Sequence, residues 1–184
     1  LSMTGIEKEY YGIEAGLDFK VASFLNFKAL GTISDAKNIN NANVNYMLSK
    51  SAEVVKDYAY IKDMRESGTP LTIGSLALDF HKSGWFVNLN ANWYDRIYLS
   101  YSPSYRYKSS LKNRDMLFND EPLPGSVDQA KGHGGWMVDG SIGKSIRLKH
   151  GSLNFNLMIT NILNNRKIVS GGYEQSRSDY TLNK

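Results

Sequence analysis

The sequence predicts an all-β fold, an antiparallel transmembrane β-barrel, and three observations carry this prediction. Apolar and polar residues alternate along six segments of the chain, which is the side-chain period of a strand rather than of a helix. Very short connections alternate with long polar ones, as the turns and loops of membrane barrels do. Aromatic residues stand near the segment ends, where such a barrel meets the two interfaces of the bilayer.

The segment 85–94 shows the alternation most clearly. Tryptophan, valine, leucine and alanine occupy one face, and Asn88, Asn90 and Asn92 occupy the other. On a helix these asparagines would scatter around the cylinder, whereas on a strand they share a face. Lys144 falls on the apolar face of its segment, which predicts either a β-bulge or a boundary there. The same period runs through the segments 13–21, 25–34, 75–80, 136–148 and 153–160.

The connections between these segments are of two kinds. Three links are very short, namely Ala22-Ser23-Phe24, Lys82-Ser83-Gly84 and Lys149-His150-Gly151, and the last two end in the glycine that tight hairpins favour. Long polar stretches near 35–69, 103–134 and 164–184 are predicted to be extracellular loops, because loops of this length are usually functional. The predicted interface aromatics are Tyr10, Tyr11, Trp85, Trp93, Tyr94, Tyr98 and Trp136, with Phe24 and Phe80 beside the short turns.

A water-soluble β-sandwich or barrel shows the same alternation, with the apolar face as its core. The length of the strands favours the membrane, since the run 85–101 hardly breaks, whereas soluble strands average about 5–6 residues. The arrangement of the turns also favours it, because turn residues mark only alternate junctions. The alternation by itself leaves both folds open.

Composition excludes several other classes. No run of about 18 apolar residues is present, so a transmembrane helix is not expected. The net charge of +4 does not indicate nucleic-acid binding, because lysine and arginine are spread along the chain. The one local charged run, residues 62–66, carries both signs and fits a solvated loop. Cysteine is absent, which excludes disulfides and thiolate metal sites.

Motifs for catalysis are also missing. The segment 140–145 ends like a phosphate-binding loop, but Val138 stands where that motif needs glycine, and the alternation continues through it. His81, His133 and His150 lie in separate segments without the convergence that a metal site needs. We therefore expect no enzyme activity, no catalytic residue, no metal and no cofactor.

The polar side of the segments offers candidates for ligand binding, in the lumen or on the loops. Amide groups suit hydrogen bonding in a lumen, and aromatic and arginine side chains at a channel mouth suit recognition by stacking and charged hydrogen bonds. The alternative use of the tyrosines is in an interface girdle and in loop packing. The candidates are Asn88, Asn90, Asn92, Tyr94, Arg96, Tyr101, Tyr105 and Arg106.

The order of several short motifs resembles a known family. The run 157–165 contains Thr160-Asn161-Ile162-Leu163-Asn164, and Gly172-Tyr173 and Arg177 follow it. This pattern is similar to the end of TonB-dependent outer-membrane receptors, and more to the large type with a carboxypeptidase-regulatory-like N-terminal extension than to siderophore receptors. Gly12-Ile13-Glu14, Gly68-Thr69-Pro70 and Asn92-Trp93-Tyr94-Asp95 resemble the same family.

The resemblance implies a barrel of about 22 strands that holds a plug and imports a scarce nutrient, such as an oligosaccharide, a peptide or a chelate. Residues 1–184 then form the C-terminal part of the barrel domain, about six strands without the closing strand, plug or TonB-contacting box. The implied location is the cell outer membrane, with the loops extracellular. The implied partners are outer-membrane lipid, TonB through an upstream region, and a surface lipoprotein cap; nucleic acid is not one.

Two other functions stay open at this point. The barrel could act as an anchor or partner in a surface or secretion assembly, with its loops binding protein. A soluble β-domain that binds carbohydrate is the third interpretation. Dependence on detergent separates this third function from the first two.

The two faces of the segment 85–94 give a first prediction. Leu89→Arg should impair assembly, because a charge at mid-bilayer on the lipid face costs roughly 2–4 kcal/mol. Asn90→Arg, its neighbour on the opposite face, should be tolerated and alter uptake instead. The amount of folded protein in the outer membrane measures both effects. Equal losses from the two changes would mean that the faces are assigned wrongly.

A second prediction concerns the 184 residues expressed alone. An open set of strands leaves unpaired backbone groups at its edges, so we expect the isolated chain to aggregate or to stay unfolded. Size-exclusion chromatography and thermal unfolding test this expectation. A monomer with a cooperative thermal transition would contradict the interpretation as part of a barrel.

Overall fold

The computed structural model describes residues 1–48 and 53–168 of the chain. It is mostly antiparallel β-sheet, with a short 3₁₀ helix at Pro103–Arg106 and helix α1 at Lys108–Lys112. No helix in the described ranges is long and apolar enough to cross a membrane. The strands are β1 (Ser2–Thr4), β2 (Lys8–Ala22), β3 (Leu25–Asn38), β4 (Ala42–Met47), β5 (Val54–Ala59), β6 (Pro70–Lys82), β7 (Trp85–Ile97), β8 (Leu117–Phe118), β9 (Glu121–Pro122), β10 (Gly135–Leu148) and β11 (Gly151–Ile159).

Six long strands form one sheet in the order β11-β10-β7-β6-β3-β2. Every neighbouring pair is antiparallel, so the strands run up and down in a meander. Their lengths, from 9 to 15 residues, exceed the roughly 5–6 residues of an average strand. The predicted antiparallel sheet is confirmed, and each alternating segment is one of its strands.

The register of the sheet brings apolar side chains from all six strands to one side, which we call the apolar face. Ile13 lies opposite Ile33, and Leu78 lies opposite Leu89. Directly opposite residues project to the same side of a sheet, so these pairs extend into one surface. The other side, the polar face, includes Asp18, Lys28, Ser75, Asp79, Asn88, Asn90, Asn92, Asp139, Ser141 and Asn154.

The three hairpin turns contain two residues each and lie at one end of the sheet, the turn end. They are Ser23–Phe24, Ser83–Gly84 and Lys149–His150, each a residue shorter than the sequence predicts. Ser83 and Gly84 have φ of 52° and 79°, as a type I′ turn requires. A Cβ on Gly84 would lie 2.5 Å from the carbonyl oxygen of Ser145, so this position also needs glycine for space. Gly151 belongs to β11 rather than to a turn.

Lys144 lies on the apolar face without any bulge in its strand. The register of β10 with both neighbours is continuous through this position, where Lys144 pairs with Trp85, the first residue of β7. Its Nζ donates to the carbonyl oxygen of Ser83 at 2.8 Å. Both predicted explanations are therefore wrong, because β10 continues past Lys144 to Leu148, with Ile146 and Leu148 on the same face.

The connections at the opposite end, the loop end, differ from the predicted loops in their bounds. Strand β3 continues to Asn38, so the first loop is 39–69. Strand β7 ends at Ile97 instead of continuing to position 101, because Arg96 has a φ of 52° and a left-handed residue interrupts a strand. The second loop is therefore 98–134. Most of the third predicted loop, residues 169–184, lies outside the described residues.

The two long loops form a folded layer, which was not predicted. Strands β1, β4 and β5 make a small sheet of their own in the order β1-β4-β5. Ile61, Leu99 and Leu111 are fully buried there, and the rings of Tyr46 and Tyr107 stack at a centroid distance of 5.8 Å. We call β1, loop 39–69 and loop 98–134 the loop layer. Its main apolar cluster contains Ala42, Val44, Ala59, Ile61, Met64 and Tyr107.

Tyr98, one of the predicted interface aromatics, is buried instead. It packs with Ala36 and Leu71 in a second small cluster. The guanidinium of Arg65 lies 4.8 Å and the ammonium of Lys131 5.4 Å from the centre of its ring. Because β7 has already ended at Ile97, Tyr98 belongs to the loop layer and not to a strand end.

Candidate functional site

The asparagines of β7 form the centre of the polar face, where hydrogen bonds join them to neighbouring strands. Asn88 Nδ2 donates to Asp79 Oδ1 at 2.5 Å, and Asn88 Oδ1 accepts from the hydroxyl of Ser141 at 3.3 Å. Asn92 Oδ1 accepts from Ser75 Oγ at 2.8 Å. Asn90 is exposed, between Ala77 and Asp139 in the register. The row thus presents amide donors and acceptors in positions fixed by three adjacent strands.

The charged residues beside this row extend it toward β3. Lys28 Nζ lies 3.6 Å from Asp79 Oδ2, so the carboxylate of Asp79 faces both Lys28 and Asn88. Tyr94 lies at the loop end of the same face, opposite Gly135 of β10. The predicted lumen residues Asn88, Asn90, Asn92 and Tyr94 are therefore on one side of one strand.

Arg96 makes a different kind of contact at the end of β7. Its Nη1 donates to the carbonyl oxygen of Ser34 at 2.8 Å, and its Nη2 lies 3.3 Å from Asp35 Oδ1. Asp35 also accepts from Arg65, whose Nε and Nη2 lie 2.8 and 3.2 Å from its two oxygens. The hydroxyl of Tyr11 completes the group at 3.5 Å from Asp35 Oδ2. We call Tyr11, Asp35, Arg65 and Arg96 the Asp35 cluster.

The Asp35 cluster connects the sheet to the loop layer. Asp35 is only 5% exposed, and a buried carboxylate requires such charged donors. Arg65 comes from loop 39–69, whereas the other members belong to β2, β3 and β7. The hydrogen bond to Asp35 raises the pKa of the Arg65 guanidinium. Arg96, a predicted ligand-binding residue, makes these contacts between the ends of β7 and β3.

Gln129 joins the two loops of the layer to each other. Its Oε1 accepts from the backbone N–H of Arg65 at 2.7 Å. Its Nε2 donates to the carbonyl oxygens of Arg65 and Leu99, each at 2.9 Å. One side chain from loop 98–134 therefore both accepts from and donates to the backbone of loop 39–69.

Arg106 lies inside the loop layer and is only 2% exposed. Its guanidinium donates to the carbonyl oxygens of Ser102, Val127 and Asp128 at 3.1, 3.0 and 2.7 Å. It also lies 5.0 Å from the centre of the Tyr101 ring. These contacts direct its donors toward backbone within the layer.

Tyr101 and Tyr105, the other predicted loop residues, are in unlike environments. The Tyr101 hydroxyl accepts from Asn38 Nδ2 at 3.0 Å, and burial raises the pKa of Tyr101. Tyr105 is exposed, with the Arg114 guanidinium 4.6 Å from its ring centre. Of the three predicted loop residues, Tyr105 is thus the one that presents its ring to solvent.

A polar cavity of about 280 Å³ lies where the loop layer meets the ends of β2 and β3, and the sequence did not predict it. Lys8 and Glu66 pair across it at 3.0 Å, and Ser100 Oγ donates to Ser67 Oγ at 3.1 Å. The paired charges and hydroxyls suit a small polar solute better than an apolar one. It is lined by Lys8, Lys37, Asn38, Met64, Arg65, Glu66, Ser67, Ser100, Tyr101 and Pro103.

The charged run 62–66, which contributes to this cavity, differs from the solvated loop that the sequence predicts. The run 62–66 was expected to be a solvated loop, and Lys62 is exposed, but Met64 is buried and Arg65 binds Asp35. The apolar Met64 between charged residues was the feature of the sequence that could have indicated burial here. Among the described residues, no group of histidine, aspartate and glutamate side chains is placed to hold a metal ion.

Comparisons with protein-family models, with curated proteins and with solved structures found no match to this chain. Its function must therefore be inferred from its own residues and geometry.

The Asp35 cluster gives a testable prediction. Asp35→Asn keeps the size of the side chain but removes the charge that faces Arg65 and Arg96, which should weaken docking of the loop layer by about 1–3 kcal/mol. The amides of Asn38 and Glu66, which pair with Met64 and Ala36 at 2.9 and 2.8 Å, should then exchange hydrogen faster.

The matched control is Asp63→Asn. Asp63 is 64% exposed and pairs with Lys37 at 3.7 Å, and such surface pairs contribute about 0–1 kcal/mol. The control should leave exchange at Asn38 and Glu66 almost unchanged. Equal acceleration in both variants would contradict a docking role for Asp35.

Proposed function

We propose that this chain is part of an outer-membrane β-barrel whose apolar face contacts lipid. The observation that carries the proposal is the exposure of that face. Ile13, Ile33 and Phe155 are 78%, 62% and 60% exposed, and they belong to three different strands. An exposed apolar surface of this extent needs a cover, and a bilayer supplies one along the whole sheet.

The dimensions of the apolar face support the same proposal. Its apolar run covers residues 25–33 in β3 and 85–93 in β7, close to the 9–11 residues or so of a membrane-spanning strand. Trp93 and Trp136 pair at its loop end, with ring centroids 6.4 Å apart, and Trp85 stands at its turn end. Tryptophan at both borders is typical of the aromatic girdles at bilayer interfaces.

A soluble β-domain fits these observations less well. Such a domain would cover its apolar face with a second layer. In residues 1–48 and 53–168 the larger buried apolar cluster lies in the loop layer, and the smaller one joins Tyr98 to the loop ends of β3 and β6. Side chains of the apolar face such as Ile13, Leu17 and Leu157 remain exposed. The polar face carries hydrogen-bonded asparagine, aspartate and serine, which suits the lining of a wet lumen.

Within the outer membrane, we propose a transporter that uses TonB to import a scarce nutrient such as an oligosaccharide, peptide or chelate. The support is the motif resemblance, the amide row of β7 on the polar face, and the polar cavity of about 280 Å³ at the loop end. On this proposal the loop layer is extracellular, TonB acts through an upstream region, and a surface lipoprotein caps the pore. An anchor in a surface assembly is the alternative, but it gives no role to the amide row.

Fractionation of cells that express the full-length protein tests the membrane location. We expect the protein to sediment with the outer membrane and to be released by detergent but not by high salt, because lipid covers the apolar face. Recovery in the soluble fraction after cell breakage would contradict the proposal.

Growth of a deletion strain on defined nutrients separates the transporter from the anchor. A transporter predicts a growth defect on a particular scarce nutrient that loss of TonB reproduces. Complementation with Asn90→Arg should then restore the protein in the membrane but not normal uptake. Normal growth of the deletion strain on every nutrient, with loss of a surface assembly, would favour the anchor.

A further inference from the structure

The three hairpin turns and the residues that flank them carry positive charge and no negative charge. Segments 20–27, 80–87 and 144–153 cover the three hairpin turns and their flanking residues, and none contains aspartate or glutamate. The acidic residues nearest to them, Asp18 and Asp79, belong to the polar face. The cations of these segments are Lys20, Lys82, Lys144, Arg147 and Lys149.

Two of these lysines stand on the apolar face, one on each side of Trp85. Lys82 pairs with Trp85 across β6 and β7, and Trp85 pairs with Lys144 across β7 and β10. The three residues therefore form a row in register. In β6 and β7 the next residues along the face, Phe80 and Val87, are apolar, so the row marks the border of the face in these two strands. In β10 the face continues past Lys144 to Ile146 and Leu148.

Aromatic rings and a backbone carbonyl hold the two ammonium groups. Lys82 Nζ lies 4.7 Å from the centre of the Phe24 ring, and Lys144 Nζ lies 4.8 Å from that of Trp85. Lys144 also donates to the Ser83 carbonyl oxygen. Among the described residues, neither ammonium has a carboxylate oxygen within 4.0 Å. Both ammonium groups thus lie at the turn end, and no carboxylate of residues 1–48 or 53–168 pairs with them.

We propose that Lys82 and Lys144, with Phe24 and Trp85, bind the phosphate of an anionic phospholipid in the leaflet at the turn end. The proposal rests on the proposed membrane location. Lysine stems lie along apolar surface while their ammonium groups reach polar surroundings. At this border the surroundings are lipid headgroups, and positive side chains favour anionic ones. Phe24 and Trp85 add rings of the kind that lie at headgroup level.

Native mass spectrometry of the full-length protein in detergent tests the proposal, with equal amounts of phosphatidylglycerol and phosphatidylcholine added. The wild-type protein should retain more phosphatidylglycerol. Lys82→Gln and Lys144→Gln should each lower the ratio of bound phosphatidylglycerol to phosphatidylcholine by roughly fivefold, and the double variant by more. Lys82→Arg combined with Lys144→Arg should keep the ratio, because the charge is retained.

The matched control is Lys56→Gln combined with Lys62→Gln, which removes the same charge from exposed positions in the loop layer. It should leave the ratio unchanged. An unchanged ratio in the Lys82/Lys144 double variant, or an equal loss in the control, would overturn the proposal. Loss of bound lipopolysaccharide in place of phosphatidylglycerol would also overturn it, because the turn end would then face the other leaflet.

The failures of this proposal and of the membrane location are distinguishable. If the full-length protein is released from cells without detergent, the membrane location fails, and the lipid site fails with it. If the protein needs detergent but the lipid ratio does not respond to either lysine, only the lipid site is wrong. Resistance to protease shows that each variant is folded before its ratio is compared.

Discussion

Strand register is the constraint on which both faces of this sheet depend. Side chains alternate along a strand, so a slip of one residue exchanges the two faces of that strand. The pairs of Ile13 with Ile33 and of Leu78 with Leu89 extend the apolar face across strand boundaries. The same register brings Asn88 to Asp79 on the polar face. An exposed apolar surface and a hydrogen-bonded polar surface are therefore two results of a single pairing pattern.

The two ends of the sheet differ in how the chain connects its strands. At the turn end the chain reverses within two residues, and the Gly84 turn is packed so closely against Ser145 that it has no room for a side chain. At the loop end the chain leaves the sheet for long segments that must bury their own apolar groups. The loop layer does so around residues such as Val44 and Ile61, and the Asp35 cluster ties it to the strands.

The sequence predicted the parts of the fold that depend on local pattern. The strands, the turns and the face of Asn88, Asn90 and Asn92 follow from a period of two residues, which is visible within a few positions. The loop layer was missed because its contacts join distant segments, as when Arg65 meets Asp35. The end of β7 was also missed, because no rule of composition places an arginine in a left-handed conformation.

The candidate site divides in the same way. The residues on β7 were placed on the correct face by alternation alone, up to Tyr94. Arg96 and Arg106 were selected because arginine suits ligand binding, but their partners in the structure are distant in sequence. Arg96 contacts Ser34 and Asp35, and Arg106 donates to loop carbonyl oxygens. Charge and hydrogen-bonding capacity can be read from residue type. Whether these groups bind a solute or stabilise the fold depends on their neighbours in space, which come from distant parts of the sequence.

Gln129 has a consequence for how the loop layer can move. Because its amide binds the backbone of both long loops, neither loop can swing outward by itself without breaking hydrogen bonds to the other. Gln129 thus joins the two loops to each other, and Asp35 joins them to the strands. An outward displacement of the loop layer from the strand ends would therefore carry both loops together, because separating them breaks the Gln129 hydrogen bonds.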